Sequence, residues 1–343
     1  MGKKQKEVKE RESLMLRNGS MLLEELISFC NGKCNPIRSF SAKQLLEATN
    51  NFQSPLYKVN DRWYRASLNN HSVLIKIHGP PTFAERTCQD IAITSQMSNH
   101  GRVLKLLGCC LEFPTPAMVY EDAEYGPLNS CGGVVPDDDS CDDDGTINGS
   151  SLSWNTRLKT AKDIANALTY LHTAFSRPIV HCNVNPSKVF LTNNLVAKLS
   201  DFSLSVSIPE GKKGVHLDDL WGTPGFTDPE LLSTSFVTEK SDVYSFGVFL
   251  LVLLTGKAAI DRHKLYLNLT EFVKENPWDE IVDPKVLEEE AAGINEERKL
   301  KLHLEVQAFL NLAKRCTQIK GEDRPVMIDV AKELAQIQIS TAA

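Results

Sequence analysis

Apolar positions recur at helical spacing in two stretches of this chain and run without interruption in a third. Leu23, Leu26, Ile27 and Cys30 form the first stripe, widened by Leu22 and Phe29, just after Asn18-Gly19-Ser20. Ser20 suits an N-cap there, Glu24 and Glu25 suit the first turns, and Gly32 and Pro36 stop the helix. The second stretch starts at Leu152-Ser153-Trp154 and puts Leu158, Ala161, Ala165, Leu168 and Leu171 on one face. The third, Val248 to Leu254, is too short to span a bilayer and reads as a core helix. Polar stretches separate these elements. Gly132 to Ser151 carries Asp137-Asp138-Asp139 and Asp142-Asp143-Asp144 and reads as a flexible acidic surface loop. Pro209 to His216 has few apolar anchors and is expected to be mobile until a partner orders it.

Composition narrows the class. The chain has 343 residues, 42% of them apolar and 24% charged, enough for one large unit or two ordinary domains with a sizeable core. A formal net charge of -6 makes no electrostatic case for nucleic acid. The nine cysteines show no paired spacing and no secretory signal precedes them, which favours a reducing cytosol. Cys30 and Cys34 lack the second pair that zinc needs. A calcium loop fails too, because Ser140 and Ser151 stand where an EF-hand wants Asp and a bidentate Glu. No metal site is expected. Met1-Gly2-Lys3-Lys4-Gln5-Lys6 exposes a glycine that could be acylated, but Lys6 occupies the Ser/Thr position of that pattern. The start therefore reads as a solvated basic tail, leaving peripheral attachment to the plasma membrane through a partner open.

One loop carries the chemical question. His181-Cys182-Asn183-Val184-Asn185-Pro186-Ser187-Lys188 resembles the catalytic loop of protein kinases. The order of further motifs supports the resemblance: Val73-Leu74-Ile75-Lys76, Leu199-Ser200-Asp201-Phe202-Ser203, Gly222 to Glu230, Ser241 to Gly247 and Glu322-Asp323-Arg324-Pro325. It covers roughly residues 40 to 338 and implies an α+β, two-lobed protein-kinase-like fold, with a small β-rich lobe and a larger helical one. In that family the loop supplies an Asp base, a Lys to the phosphate and an Asn to magnesium. Here those positions hold Asn183, Asn185 and Lys188, and Ser203 replaces the glycine after Asp201-Phe202. An amide is far too weakly basic to act as general base, and an ammonium repels a metal.

The small lobe departs in the same direction. Tyr57 to Arg65 has no glycine where kinases fold a glycine-rich loop over the phosphates, and Arg62 and Trp63 are expected to stiffen or fill that space. Lys76 is kept, and Asp90 lies near the place of the helix glutamate that pairs with it. Aspartate is one methylene shorter, so the pair is expected to need a shifted helix. Lys76, Asp90 and Asp201 read either as a vestigial nucleotide and metal site or as a structural cluster. The resemblance implies no required cofactor, with ATP and magnesium bound weakly or not at all. It also implies structural roles for Asp242, which ties down the catalytic-loop backbone, and for a Glu230–Arg324 pair that braces the activation segment.

A closer likeness is to plant receptor-like cytoplasmic kinases, through Leu106-Leu107-Gly108-Cys109-Cys110-Leu111-Glu112 and Asp242-Val243-Tyr244-Ser245-Phe246-Gly247-Val248. Among these the chain resembles the non-functional kinases related to HopZ-ETI-deficient. That likeness rests on Asn18-Gly19-Ser20, Asn35 to Ser41, Ala48-Thr49-Asn50-Asn51-Phe52, Met97-Ser98-Asn99-His100, Leu171 to Phe175 and the altered loop. It implies an immune adaptor bound to a coiled-coil nucleotide-binding leucine-rich-repeat receptor. The adaptor would face bacterial effectors or receptor-like cytoplasmic kinases that effectors have modified. Gly19, Leu23 and Ile27 lie one turn apart and read as a docking face or as packing on the chain's own small lobe. In the activation segment Ser205, Ser207, Lys212, Lys213 and Thr223 are candidates for modification. The alternative function is a slow, atypical serine/threonine kinase or a nucleotide-binding sensor. The expected layout is a flexible basic tail over 1–17, a helical extension over 18–39 and a small lobe over 40–120. The hinge and large lobe follow over 121–338, with the acidic insertion at 132–151 and a tail at 339–343.

Overall fold

The computed structural model describes residues 3–30, 37–56, 62–134, 151–261, 267–286 and 296–339. The helix stop at Gly32 and Pro36, Cys34, residues 57–61, most of the acidic insertion and the last residues lie outside them. The chain forms two compact units, one of residues 1–124 with 200–204, the other of 125–199 with 205–343.

The smaller unit is built on a five-stranded sheet. β1 (Arg38–Ser39), β2 (Arg62–Leu68), β3 (His71–Ile77), β4 (Leu106–Cys110) and β5 (Ala117–Glu121) take the order β1-β4-β5-β3-β2, with β1 parallel to β4 and the other pairs antiparallel. Val73-Leu74-Ile75 is a continuous apolar run because both faces of β3 are covered. One face packs Phe40, Leu45, Tyr64, Val73, Ile75 and Val119 into a core. Helix α1 spans Lys3–Cys30, α2 spans Ala42–Ala48, and α3 spans Ala84–Met97. α2 starts with a capping box: Gln44 N–H donates to the Ser41 side chain, and the Ser41 N–H donates to Gln44.

α1 corrects the expected layout. It begins at Lys3, not Ser20, and takes in most of the stretch read as a flexible tail. Lys, Glu, Gln and Arg dominate its first turns, and these residues are strong helix formers even without an apolar stripe. Glu7 and Arg11 are also well spaced for a helical ion pair. Asn18-Gly19-Ser20 therefore lies inside the helix, where Asn18 is wholly buried.

The larger unit is mostly helical. α4 (Trp154–Thr173) has Ser153 as N-cap and buries Leu158, Ala161, Ala165, Leu168 and Leu171, the face that its periodicity predicts. β6 (Gly126–Pro127), β8 (Val189–Leu191) and β9 (Ala197–Leu199) form a three-stranded sheet, while β7 (Ile179–Val180) pairs antiparallel with β10 (Val206–Ser207). β11 (Val215–His216) pairs with β12 (Phe236–Val237), which follows the short α5 (Pro229–Thr234). α6 (Glu239–Thr255) is buried from Ser241 to its end, so the apolar run Val248 to Leu254 is a core helix. Around it come α7 (Leu269–Glu275), α8 (Trp278–Ile281), α9 (Glu296–Cys316) and α10 (Met327–Ile339). A Cβ at Gly247 would sit 2.7 Å from that of Cys316, so glycine permits the close approach of α6 and α9. Among the described residues no helix is long and apolar enough to cross a membrane.

Candidate functional site

In the smaller unit β3 and the residue after it, α3 and the segment 200–204 bring four ionisable groups together. Lys76 on β3 places Nζ 3.0 Å from Asp90 Oδ2 and 3.0 Å from Asp201 Oδ1, and all three residues are buried. The shorter aspartate reaches the ammonium directly. Asp90 Oδ1 also accepts from the Thr94 hydroxyl and from the Phe202 N–H, each at 2.9 Å. Ser203 donates its hydroxyl to Asp201 Oδ1 at 2.6 Å, and Asp201 holds a left-handed backbone (φ 68). Trp63 pairs with Lys76 across the β2–β3 ladder, and its ring lies 5.7 Å from Nζ. Burial pushes the Asp90 carboxyl up, but the Lys76 ammonium and the neighbouring His78 imidazole outweigh it and hold the group below the usual carboxylate range.

His78 was not anticipated, though it follows Lys76 by two residues, just past the end of β3, where extended backbone turns both to one side. Its Nε2 is 3.6 Å from Asp90 Oδ2. His78, Asp90 and Asp201 lie within 4.8 Å of one another, a spacing that three metal ligands could share. The donor set fits an ion poorly, because the Lys76 ammonium is already the counter-cation to both carboxylates.

In the loop of the larger unit, the two amide positions are held by neutral groups. Asn183 Oδ1 accepts from the Thr223 hydroxyl at 2.7 Å and from Asn185 Nδ2 at 3.1 Å. Asn185 Nδ2 also reaches the Asn183 carbonyl at 3.0 Å, and Asn185 Oδ1 accepts from the Ser187 hydroxyl at 2.7 Å. The amides thus keep a compact, closed geometry with no base in it. Lys188 is buried on the same loop, and its ammonium has no lone pair to give a metal. Asp242 on α6 accepts from the backbone N–H of His181 (2.7 Å) and of Cys182 (2.9 Å), and lies 2.9 Å from His172 Nε2. Cys182 adopts a left-handed backbone (φ 64), and burial with the nearby Asp242 carboxylate pushes its thiol well up. It stands as a neutral thiol.

Two expectations about this unit are corrected. Arg324 pairs with Asp228, not Glu230: Nη1 and Nη2 each lie 2.7 Å from its carboxylate. Asp228 is the N-cap of α5 and faces inward, whereas Glu230, one residue beyond Pro229, turns its carboxylate to the Gly321 N–H at 2.7 Å. The activation segment also carries more backbone pairing than its polar stretch suggests. Its strands β10 and β11 pair with β7 and β12, and Val206, Val215, Leu217 and Cys182 pack on a core of Val180, Ile208, Leu231 and Val237. Backbone pairing at both ends leaves the turn around Lys212 and Lys213, both exposed, without apolar anchors. Ser205 is buried and donates to the His181 carbonyl at 3.4 Å, Thr223 is half-buried against Asn183, and Ser207 is half-buried.

On α1, Leu23 is 58% exposed and Ile27 56% exposed, with Leu16, earlier in the helix, more open still. Gly19 lies at the edge of that stripe, where a Cβ would come within 4.0 Å of Leu111. Leu22 and Asn18 turn the other way, into the unit.

Residues 57–334 match the family described as protein tyrosine and serine/threonine kinase. Nearly the whole chain is similar to proteins of Arabidopsis thaliana. It is 44% identical to serine/threonine-protein kinase ZRK1, over 98% of this chain and 95% of that protein. It is 44% identical to non-functional pseudokinase ZED1, over 96% and 98%, and 41% identical to non-functional pseudokinase ZRK2, over 98% and 92%. Two of these names deny activity and one asserts it.

Proposed function

The chain belongs to the protein tyrosine and serine/threonine kinase family, within the ZRK and ZED1 group, and we propose that it serves there as a catalytically inactive adaptor in plant innate immunity. The observation that carries this reading is the loop closed by Asn183, Asn185 and Thr223. It offers a substrate hydroxyl no base, and loss of general-base assistance alone costs about 10²–10⁴-fold in rate. Lys188 opposes a metal, and Asp201 is engaged by Lys76 and Ser203. ATP and magnesium therefore bind weakly or not at all. What such a chain offers is surface. The exposed Leu23 and Ile27 of α1 would dock a coiled-coil nucleotide-binding leucine-rich-repeat receptor. The exposed turn at Lys212 and Lys213 would meet bacterial effectors, or receptor-like cytoplasmic kinases that effectors have modified. Such a protein works in the cytoplasm, held at the plasma membrane through its partners.

A second reading, a slow atypical kinase or nucleotide sensor, is favoured by the retained Lys76 and Asp201 and by the name of ZRK1. Radiolabelled phosphate transfer by the purified chain, with and without magnesium, separates the two. The expected result is background transfer from wild type, Lys76→Ala and Asp201→Ala alike. Turnover that is present in wild type and absent from both variants overturns the adaptor reading. Co-precipitation of the receptor from leaf tissue, lost in Leu23→Glu, tests the docking face.

A further inference from the structure

Asn18 is out of place by local rules. Asparagine is a weak helix former because its side chain competes for backbone groups, yet Asn18 sits deep inside the 28-residue α1 and is wholly buried. Its bonds explain why it is there. Nδ2 donates to the carbonyls of Leu111 and Phe113, each at 2.8 Å, just beyond β4. The neighbouring Arg17 donates to Asn18 Oδ1 at 3.3 Å and to the Pro114 carbonyl at 2.8 Å. The Asn18 carbonyl in turn accepts from Cys88 Sγ of α3 at 3.6 Å. One residue thus pins α1 both to the end of β4 and to α3.

α3 carries this pin on one side and the charged cluster on the other. Cys88 and Asp90 are two positions apart, about 200° around a helix, so they face opposite ways. Both are buried. Asp90 holds Lys76, Thr94 and the Phe202 N–H, and the adjacent Gln89 donates to the Phe202 carbonyl at 3.4 Å. A close-packed helix gripped on both sides cannot shift toward one without loosening its hold on the other.

We propose that α1, through Asn18, sets the position of α3 and thereby holds the Lys76–Asp90–Asp201 cluster and the Phe202 backbone together. Asn18 is a positioning residue. The exposed stripe at Leu16, Leu23 and Ile27 lies on the opposite side of α1, so a partner seated there stiffens α1 and tightens the cluster through α3. That last step rests on the docking face proposed above; the coupling within the unit does not. Binding free energies are reciprocal, so a change at the cluster must equally loosen or tighten α1.

Hydrogen exchange by mass spectrometry on the full chain tests this without a partner. Asn18→Asp keeps the volume but turns an acceptor toward the Leu111 and Phe113 carbonyls. The expected result is at least tenfold faster exchange in α3 and at the Phe202 N–H, as well as in α1. Arg17→Ala, a milder cut at the same anchor, should give the same pattern at smaller size if Asn18→Asp fails to fold. Asp90→Asn should in return speed exchange in α1. Leu23→Glu should leave α3 and Phe202 unchanged, which separates the coupling from the docking face. Faster exchange confined to α1 and residues 111–114, with Phe202 protected as before, overturns the proposal.

Discussion

The cluster around Lys76 and the loop around Asn183 both occupy positions that the kinase pattern reserves for phosphoryl transfer, and they have been treated in opposite ways. The first keeps its charges and buries them against one another, with Lys76 held between two carboxylates. The second has carboxamides at Asn183 and Asn185, whose side chains are held by neutral hydrogen bonds to Thr223 and Ser187. A retained lysine is thus no mark of activity, since its charge is consumed inside the fold. A lost aspartate is equally no mark of disorder, because the amide oxygen of Asn183 accepts the Thr223 hydroxyl at 2.7 Å.

The largest effect that sharpens this contrast should come from Lys76→Met. It leaves two buried carboxylates facing each other without a cation and should cost about 3–5 kcal/mol in urea unfolding. Arg324→Met should cost a similar amount by stranding Asp228, while Glu230→Gln should cost much less. Equal losses in Arg324→Met and Glu230→Gln would restore the pairing that the sequence suggested. On the neutral side, Asn185→Ala removes donors to Asn183 and Thr223 and should cost about 1–3 kcal/mol. A loss as large as that of Lys76→Met would erase the distinction between the two regions.

pH offers a gentler probe. Asp90 is held below its ordinary value of 3.8, so its contribution is present above that value and is lost as pH falls through the lower folded one. The stability gap between wild type and Asp90→Asn should therefore stay constant from neutrality to about pH 5 and close in stronger acid. A gap that closes between pH 7 and 5 would mean that Asp90 is not ion-paired. The smallest effect is expected for Leu23→Glu, within about 0.5 kcal/mol, because the side chain is largely in solvent.

Much of this was legible beforehand, and where it was not the reason is physical. α4 and α6 follow from apolar spacing because their partners are the core itself. Lys76, Asp201 and the three altered loop positions stand out because their residue types break or keep a chemical pattern. The first turns of α1 escaped notice because they carry no apolar stripe, and Ser20 looked like a cap only in the absence of the helix before it. Pairing of β10 and β11 escaped because backbone groups leave no trace in side-chain pattern.

The sequence alone determined which groups stand at the altered loop positions, an amide at 183 and an ammonium at 188, neither of which is a base or a metal ligand in any conformation. It also determined the fold class, because motif order and apolar period are local properties of the chain. Only the tertiary structure decided who pairs with whom: Arg324 with Asp228, His78 with Asp90, Asn18 with the end of β4. These choices depend on which of several nearby groups faces inward once the elements pack. A carboxylate buried beside a cation is settled by geometry and desolvation, and neither is written in the order of residues.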